Sequence, residues 1–458
     1  MVYDELSPQP FSYKDSAARV VKKEGVFYRY ISNNYAKEYQ HLMASGLYDE
    51  LVKKGLLISH QNLKIETSEN IFTVIMPEQI SFQSYPFEWS YSQWRKAALA
   101  CLEINSIALT YGMILKDATP YNFFLKGGKA ILLDTSSFVF FKSPDYWIAY
   151  RQFCEEFLGP ISLMHYRGHR WGRLTMASLR GLPLEFISEQ LPWKSYLNIS
   201  CFIHIHLHAK SKNNQSKKTK LTSVGFTKEK LEQLFSLLSN TITSWDEYLS
   251  FPNHWANYYE QDIESTEYLA DKIETIEKWI KVINPESVLD LGANTGKFSE
   301  IASRNTKRVI ALENDEICVD QIESMIKEQK IDNMYTLLGD LKETIPNLGL
   351  LGKEHSSIFE RAKSDLVLGL ALTHHLLIPG MIPLELMVEL LDALTNKYLI
   401  IEYIDESDSK VKILQKTNTR NYPNKEEFIR AFERKFKKIE TINFKNCKRT
   451  AFMLKKVD

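Results

Sequence analysis

Cysteine is scarce in this chain of 458 residues, and its five copies lie far apart. None of them forms a Cys-x-x-Cys pair, and their number is odd. This pattern argues against a disulfide framework and against a zinc ribbon, both of which need paired cysteines. We therefore expect reduced thiols, as in a cytoplasmic protein, at Cys101, Cys154, Cys201, Cys318 and Cys447.

An excess of charge of either sign is also absent, since 57 Lys and Arg residues balance 57 Asp and Glu residues. The chain as a whole therefore lacks the electrostatic footprint of a nucleic-acid-binding protein. No apolar run approaches the roughly 18 residues that a membrane-spanning helix needs, and residues 1–16 lack the pattern of a secretory signal. We expect a cytoplasmic protein without a nucleic-acid or membrane partner.

The length of the chain favours two or three domains. Residues 209–220, AKSKNNQSKKTK, are polar and basic without an apolar anchor, which predicts an exposed linker. A role of these lysines in binding nucleic acid or a membrane stays open. We predict an α+β domain over residues 1–208, a basic linker and helical connector over 209–259, and a second domain over 260–458.

The second domain shows strand candidates that alternate with helical stretches. Apolar strands of this kind are typical of a parallel sheet that is covered on both faces. A helix over 424–436 and a terminal hairpin, KKIETINF and TAFMLKKV, follow them. The strand candidates are SVLDLG, RVIALE, MYTLLGD, SDLVLGLAL and YLIIEYI.

The strongest local signal is VLDLGANTGKF, residues 288–298, where an apolar strand leads into a turn and then a helix. Gly292 and Gly296 allow the backbone to turn and to approach a ligand closely, where a Cβ atom would clash. A loop of this kind lies in the ligand-binding crevice of open α/β sheets. Its spacing is not GxGxxG, so the sequence does not support a dinucleotide site.

Acidic residues follow the next two strands. Glu313 ends the strand RVIALE, 23 residues after Asp290, where a carboxylate can accept hydrogen bonds from ribose hydroxyls. Asp340 follows the third strand, at a place suited to an adenine amino group. The order and spacing of these motifs resemble class I S-adenosylmethionine-dependent methyltransferases over residues 260–458.

That resemblance implies S-adenosylmethionine as the cofactor and a seven-stranded Rossmann-like sheet, so the fold class is α/β. It places Asp290 and the glycine-containing loop beside the methionyl part of the cofactor. The cofactor-binding residues that it implies are Asp290, Leu291, Gly292, Ala293, Asn294, Gly296, Phe298, Glu313, Asn314, Asp340, Leu341 and Leu370.

Three side chains are candidates for a general base that accepts a proton during methyl transfer: His374, His375 and Glu402. The run DLVLGLALTHH resembles a stretch that follows the fourth strand in many of these enzymes. The alternative is that the two histidines pack and cap the next helix. An N/D-P-P-F/Y motif is missing, which argues against N-methylation of a base or amide and leaves hydroxyl, carboxyl, amine and carbon acceptors open.

The N-terminal half contains a second constellation, Asp117, Asn122 and Asp134. It resembles the catalytic loop and metal-binding aspartate of kinase-like folds, which implies that Asp117 orients a hydroxyl and that Asn122 and Asp134 hold magnesium. A glycine-rich nucleotide loop is missing, Arg29 replaces the usual lysine with Glu38 as its helix partner, and Thr-Ser-Ser follows Asp134. The alternatives are a kinase-like fold used for binding and a turn capped by local hydrogen bonds.

The segments DATPYNFFLKGGKAILLDTSSF, WIAYRQFCEEFLGPISLM, LDLGANTGKFS and LALTHHL together resemble bacterial methyltransferases related to the nodulation protein NoeA. This resemblance covers nearly the whole chain and implies that the N-terminal half is an integral part of the enzyme. It also implies a glycan or another small molecule as the methyl acceptor. Two further hypotheses are a bifunctional kinase–methyltransferase and a non-catalytic scaffold that binds S-adenosylmethionine.

Two other groups of residues stand out. His204, His206 and His208 alternate in FIHIHLH, which predicts a strand with one polar face and leaves a metal site as the alternative. Aromatic residues cluster just before the second domain, where they are suited to packing between domains or to stacking on a sugar or base. They are Trp245, Tyr248, Trp255, Tyr258 and Tyr259.

Overall fold

The computed structural model divides the chain into two compact units. Unit N comprises Met1–Leu125, Lys129–Ser250 and Gly349–Glu354, and unit C comprises Lys126–Gly128, Phe251–Leu348 and His355–Asp458. The structure describes residues 8–13, 15–64, 70–211, 225–245, 266–416 and 422–457. The predicted linker therefore lies almost entirely outside the described residues, and the predicted domain boundaries stay predictions.

Unit N begins with a four-stranded antiparallel sheet of order β1-β2-β4-β3. Its strands are β1 (Ala18–Lys23), β2 (Val26–Ser32), β3 (His60–Leu63) and β4 (Ile71–Pro77). The sequence of residues 35–55 predicts one continuous helix, and this prediction is wrong in one respect. The structure forms two helices there, α1 (Ala36–Ala44) and α2 (Leu47–Lys54), because Gly46 adopts φ +91° and interrupts the helical hydrogen bonds.

The middle of unit N is organised by the long helix α3 (Tyr91–Thr110). Ser90 and Gln93 form a capping box at its start, and its apolar positions are buried. Four short strands follow in two antiparallel pairs, β5 (Met113–Leu115) with β8 (Phe138–Phe140) and β6 (Phe123–Lys126) with β7 (Lys129–Leu132). These pairs bring residues 116–122 next to residues 133–137. The backbone amide of Lys116 donates to the carbonyl of Ser137 (2.7 Å), and the backbone amide of Leu133 donates to the carbonyl of Asn122 (2.7 Å).

The sequence of residues 145–190 predicts largely helical structure, and the described remainder of unit N is helical. The strand predicted for FIHIHLH is wrong, since residues 202–207 form a π-helical segment between two short α-helices. His204, Ile205 and His206 are all buried, so burial does not alternate along this segment. The α-helices are α4 (Tyr150–Phe153), α5 (Gly159–Arg167), α6 (Leu184–Gln190), α7 (Ile199–Cys201), α8 (His208–Ser211) and α9 (Lys228–Ser244).

Unit C contains the predicted seven-stranded sheet, which is confirmed. Its order is β11-β10-β9-β12-β13-β15-β14. The first five of these strands pair in parallel, and the terminal hairpin pairs antiparallel with β13. The strands are β9 (Ser287–Leu291), β10 (Arg308–Glu313), β11 (Met334–Leu338), β12 (Ser364–Gly369), β13 (Thr395–Ile404), β14 (Phe436–Asn443) and β15 (Arg449–Lys456).

The central strands of this sheet are buried because helices cover it, as the apolar runs predicted. Trp279 and Ile280 of the first helix pack in one cluster with Val288 of β9 and Leu366 of β12. The helices are α10 (Thr266–Ile283), α11 (Lys297–Ser303), α12 (Glu316–Gln329), α13 (Ile358–Arg361), α14 (Thr373–Leu377), α15 (Leu384–Leu394), α16 (Ser409–Gln415) and α17 (Lys425–Phe432).

The parallel strands determine where a site can form, since their carboxyl ends meet at one edge of the sheet. Asp290 of β9 is in register with Ala311 of β10 and with Leu368 of β12. Among the described residues, no helix is both long and apolar enough to cross a membrane.

Candidate functional site

The loop after β9 turns sharply at the edge of the sheet. Gly292 has φ +69° and Gly296 has φ +82°, a region that glycine enters without steric cost. A Cβ atom on Gly296 would lie 2.9 Å from Cγ1 of Ile322. The amides of Gly292 and Ala293 both donate to the carbonyl of Leu312, at 2.9 and 3.0 Å, which fixes the loop against β10.

Asp290 anchors the helix that follows this loop. Its carboxylate is buried and accepts a hydrogen bond of 2.6 Å from Oγ of Ser299 in α11. Burial raises the pKa of Asp290 to about 6, because the hydrogen bond from Ser299 and the charge of Lys272 only partly offset the loss of water, while the charge of Glu313 adds to the shift. The carboxylate therefore has room for a further donor.

Glu313 ends β10 beside the loop and is only partly buried. One carboxylate oxygen accepts the amide N–H of Asn294 at 2.7 Å, and the other accepts those of Asn314 at 2.7 Å and Asp315 at 2.8 Å. Burial nevertheless raises the pKa of Glu313, although these three amides act in the opposite direction. Glu313 thus ties the glycine-containing loop to the end of β10.

The remaining predicted cofactor contacts lie at the neighbouring strand ends. Asp340 comes two residues after β11, and its carboxylate accepts the amide N–H of Lys342 at 2.9 Å and pairs with the ammonium of Lys342 at 3.3 Å. Asn314 is exposed, and the other side chains are buried or partly buried. Buried apolar side chains at this edge are Leu291, Ala293, Phe298, Leu341 and Leu370.

The structure therefore gathers the predicted cofactor residues along one edge of the sheet, on four adjacent strands. Leu370 follows β12, which is the neighbour of β9 on the side away from β10. The next residue, Ala371, has φ +52°, a left-handed conformation that is uncommon for a residue other than glycine. Its amide N–H donates to Glu402 at 2.8 Å, and this contact holds the turn in place.

His374 and His375 lie in the short helix α14 directly after this turn, with ring centroids 4.0 Å apart. Burial lowers the pKa of His375 to about 4, with the positive charges of Lys410 and Lys342 adding to the shift. Burial and the neighbouring His375 lower the pKa of His374 as well. Both imidazoles are therefore neutral near pH 7. Nδ1 of His374 is buried and has no hydrogen-bond partner among the described residues.

Glu402 of β13 is in a different situation from the other predicted site residues. It is fully buried and accepts hydrogen bonds from the Tyr268 hydroxyl, from Nζ of Lys272 at 2.7 Å and from the amide of Ala371. Burial alone would raise its pKa, but the charges of Lys272 and Arg449 outweigh burial and lower the pKa. Its place in this ion pair disfavours the predicted role as a general base.

The partners of Glu402 are residues near the predicted site that the sequence analysis missed. Nζ of Lys272 also lies 5.1 Å from the centre of the Phe298 ring, on the helix that follows the glycine-containing loop. Arg449 of β15 is buried, donates to the Tyr268 hydroxyl at 3.2 Å and pairs with Asp408 at 3.3 Å. We call this set of Tyr268, Lys272, Glu402, Asp408 and Arg449 the buried charge network.

An open pocket of about 1000 Å³ lies beside α14 in the same unit. Leu377, the last residue of α14, lines it and connects it to the helix that carries the histidines. The rest of its wall comes from α15, α17 and nearby segments and mixes apolar with charged side chains. It includes Ile382, Leu384, Val388, Glu389, Glu406, Tyr422, Pro423, Asn424, Glu427, Arg430 and Arg434.

In unit N, the structure brings Asp117 and Asp134 close enough to interact. Burial raises the pKa of Asp117 to about 6, and the charge of Asp134 adds to this shift. Asp134 pairs with Arg29 and accepts hydrogen bonds from the hydroxyls of Ser136 and Ser137, and its pKa is lowered although burial alone would raise it. The partly buried Asn122 follows in the same loop.

No group of three or more histidine, cysteine or acidic side chains among the described residues is arranged to hold a metal ion. This includes His204, His206 and His208. His204 interacts with the hydroxyl of Tyr150 at 2.6 Å, and His206 lies between the hydroxyls of Ser188 and Ser195, at 2.7 and 2.8 Å. The histidines therefore take part in packing within unit N.

The predicted aromatic cluster is described at Trp245 only. Trp245 is buried and stacks on His165 with ring centroids 5.1 Å apart, so it packs inside unit N. The other four members, Tyr248, Trp255, Tyr258 and Tyr259, lie outside the described residues.

Comparison with known proteins gives one relative of nearly the same length. The chain is 25% identical to nodulation protein NoeA of Rhizobium meliloti (strain 1021) in an alignment 457 residues long. The alignment covers 96% of this chain and 94% of that protein. The predicted resemblance to NoeA-related proteins is thereby confirmed. No protein-family model matches the chain.

Solved structures also align with part of the chain. N-methyltransferase NodS from Bradyrhizobium japonicum WM9, in complex with S-adenosyl-L-homocysteine, aligns with a TM-score of 0.34 at 9% identity, covering 45% of this chain and 94% of NodS. Magnesium protoporphyrin IX methyltransferase (ChlM) from Synechocystis PCC 6803 aligns with a TM-score of 0.31 at 17% identity, covering 42% of this chain and 84% of ChlM.

Proposed function

We propose that unit C is an S-adenosylmethionine-dependent methyltransferase whose acceptor is a glycan or another small molecule. The observation that supports this most directly is the pair of carboxylates, Asp290 and Glu313, at adjacent ends of parallel strands beside a left-handed glycine-containing loop. The order of the seven strands agrees with the same class of enzyme. The resemblance to NoeA over 96% of the chain supports a role shared by both units.

The residues at this edge fit the proposed cofactor. A carboxylate has about four lone-pair positions. On Glu313, three of them accept backbone amide N–H groups, so one position remains for a ribose hydroxyl. Asp290 accepts hydrogen bonds from the hydroxyl and the backbone amide of Ser299 and retains capacity for donors of the methionyl part. The apolar side chains of Phe298, Leu341 and Leu370 are suited to excluding water from the bound cofactor.

The bound cofactor supplies an electrophilic methyl group on a sulfonium. The chain's own residues then have to orient the acceptor and receive its proton. His374 and His375 are neutral near pH 7 and follow directly on the turn at Ala371, so they are the candidates to receive this proton, although the lowered pKa makes each a weaker base than an ordinary histidine. Because Glu402 already holds that turn, we assign it to positioning and not to proton transfer.

The pocket beside α14 is our proposed acceptor site. Its wall combines the ring of Tyr422 with amide and charged groups such as Asn424, Glu406 and Arg430. A concave site with apolar surface and a few directional polar groups is suited to a small polar molecule such as a sugar. This composition supports a glycan or small-molecule acceptor.

Calorimetric titration of S-adenosylmethionine and S-adenosylhomocysteine tests the proposed cofactor site. We expect micromolar binding to the wild type. Glu313→Ala removes a partly buried, charge-assisted acceptor and should cost about 1.5–3 kcal/mol, which is roughly tenfold or more in affinity. Glu313→Gln should fall between the two proteins, because it keeps one carbonyl acceptor for the loop amides.

Glu328→Ala is the matched control, since Glu328 is an exposed glutamate on α12, which begins three residues after Glu313. It should bind the cofactor like the wild type. A well-folded wild type that binds neither ligand would refute the proposal. Tight binding without transfer of a labelled methyl group to any component of a cell extract would favour the non-catalytic scaffold.

A further inference from the structure

Unit N exposes a group of large apolar side chains between α6 and α8. Leu197 is 76% exposed, Trp193 is 69% exposed and Ile199 is 63% exposed. Soluble proteins rarely leave contiguous apolar patches of more than a few hundred Å² without a partner. We call this group the apolar surface, and it comprises Trp193, Leu197, Ile199, Phe202, Ile203 and Leu207.

The helical segment from α7 to α8 presents part of this surface as one stripe. Ile199, Ile203 and Leu207 are spaced four residues apart, so they lie on the same face of the helix. On the opposite side, Cys201 and Ile205 are fully buried in the core of unit N. The inner side of this segment therefore packs in the core, while the exposed stripe faces away from it.

Direct contacts attach Trp193 and Leu197 to the same region. The five residues Trp193–Leu197 form a 3₁₀ helix. Within it, the ring of Tyr196 stacks on His206 with centroids 3.7 Å apart, and the hydroxyl of Ser195 interacts with Nε2 of His206 at 2.8 Å. Because His206 belongs to the helical segment, both halves of the apolar surface are held together.

The charged side chains within the segment that carries the apolar surface are basic. Residues 190–211 contain two lysines and no acidic residue, while the exposed Glu189 lies just before them. Lys194 and Lys210 are exposed at the two ends of the surface. Arg167 lies next to it, because its Nε donates to the carbonyl of Gln190 at 2.6 Å. A partner must therefore offer both an apolar phase and negative charge.

We propose that the apolar surface docks unit N reversibly on an anionic lipid bilayer. Apolar and aromatic side chains of such a surface enter the boundary between headgroups and acyl chains, while lysines remain at the phosphate level. A second copy of the chain would bring Lys194 and Lys210 against like charges. A nucleic acid would leave the Ile and Leu stripe without an apolar partner. This proposal does not depend on methyl transfer by unit C.

The test is sedimentation of the full-length protein with vesicles of phosphatidylcholine alone or with added phosphatidylglycerol. We expect binding to the anionic vesicles, at least tenfold weaker binding to the neutral ones, and a decrease as salt screens the lysines. Trp193→Ser combined with Leu197→Ser should reduce binding at least tenfold. Lys194→Glu combined with Lys210→Glu should reduce both the binding and its dependence on salt.

Val282→Ser combined with Ile413→Ser is the matched control, because these side chains of unit C are 68% and 61% exposed. It should bind vesicles like the wild type, and circular dichroism should show that every variant is folded. The proposal is overturned if the wild type does not sediment with anionic vesicles, or if the surface variants bind as well as the control. It is also overturned if those variants instead convert an oligomer into a monomer, which would identify the surface as a contact between copies.

Discussion

Removing one member of the buried charge network should be far more costly than removing an exposed charge from the same helix. Lys272 and Glu402 are 2.7 Å apart, with side chains 6% and 0% exposed. Lys272→Met leaves Glu402 buried without its closest cation, and a buried charge without its partner costs about 3–5 kcal/mol. We expect a value near the lower limit, because Tyr268, Arg449 and the amide of Ala371 still interact with the carboxylate.

The double variant Lys272→Met/Glu402→Gln sharpens this prediction. In the wild type, two cations, Lys272 and Arg449, face two anions, Glu402 and Asp408. Each single change unbalances this set, whereas the double change leaves one cation and one anion. Because replacing a whole buried pair by neutral residues is often close to neutral, we expect the double variant to be more stable than either single variant, with a coupling of at least about 2 kcal/mol.

Hydrogen exchange of the amides in β13 measures this effect without assuming that both units unfold together, since exchange of core amides reports the unfolding of their own unit. Lys281→Met is the matched control on α10. Lys281 pairs with Glu277 at 2.9 Å, but its side chain is 59% exposed, so its loss should cost less than about 0.5 kcal/mol. If Lys272→Met is no more destabilising than Lys281→Met, the buried charge network does not stabilise unit C.

Two other predictions concern the cofactor edge. The folded-state pKa of Asp290 is about 6, above the usual value near 3.9, so its ionisation destabilises the apo protein as the pH rises through 6. Asp290→Asn should therefore raise the melting temperature more at pH 8 than at pH 5 while weakening cofactor binding, and an equal effect at both pH values would contradict this. Gly296→Ala should lower the free energy of unfolding by at least about 1 kcal/mol, because Gly296 has φ +82° and a Cβ atom there would lie against Ile322. Gly339→Ala is the control: the nearest atom to its Cβ would be Cδ1 of Leu312 at 3.9 Å, so thermal melts should show little change.

Most of the fold of unit C could be predicted from the sequence because its signals are local. Each parallel strand is an apolar run, and the loop from Asp290 to Gly296 carries its own turn chemistry. Glu313 could be found because it ends such a strand. In unit N, the local signals were weaker. Gly46 divides one predicted helix into two, and in FIHIHLH the apolar and histidine residues alternate along the sequence although the burial of their side chains does not.

The buried charge network could not be predicted because its partners are far apart in sequence. Lys272 and Glu402 are separated by 130 positions, and Tyr268 and Arg449 by 181. One signal was nevertheless present. Lys272 lies four residues after Tyr268 and four before Ile276, on the apolar stripe of α10, and a lysine on a buried stripe requires a buried partner.

The carboxylates at strand ends and in loops also differ in a way that sequence position does not reveal. Burial removes water from each of them and raises the pKa, while protein donors restore hydrogen bonds and lower it. In Asp134 and Glu402 the cations and other donors prevail and the pKa is lowered, so these groups are already satisfied by the protein. In Asp117, Asp290 and Glu313 the effect of burial is larger and the pKa is raised, so the protein offsets their loss of water only in part. Two of these three, Asp290 and Glu313, lie at the proposed cofactor site, whereas Asp117 lies in unit N, as does Glu156 with its raised pKa, so the shift agrees with the motif but does not single out the site by itself.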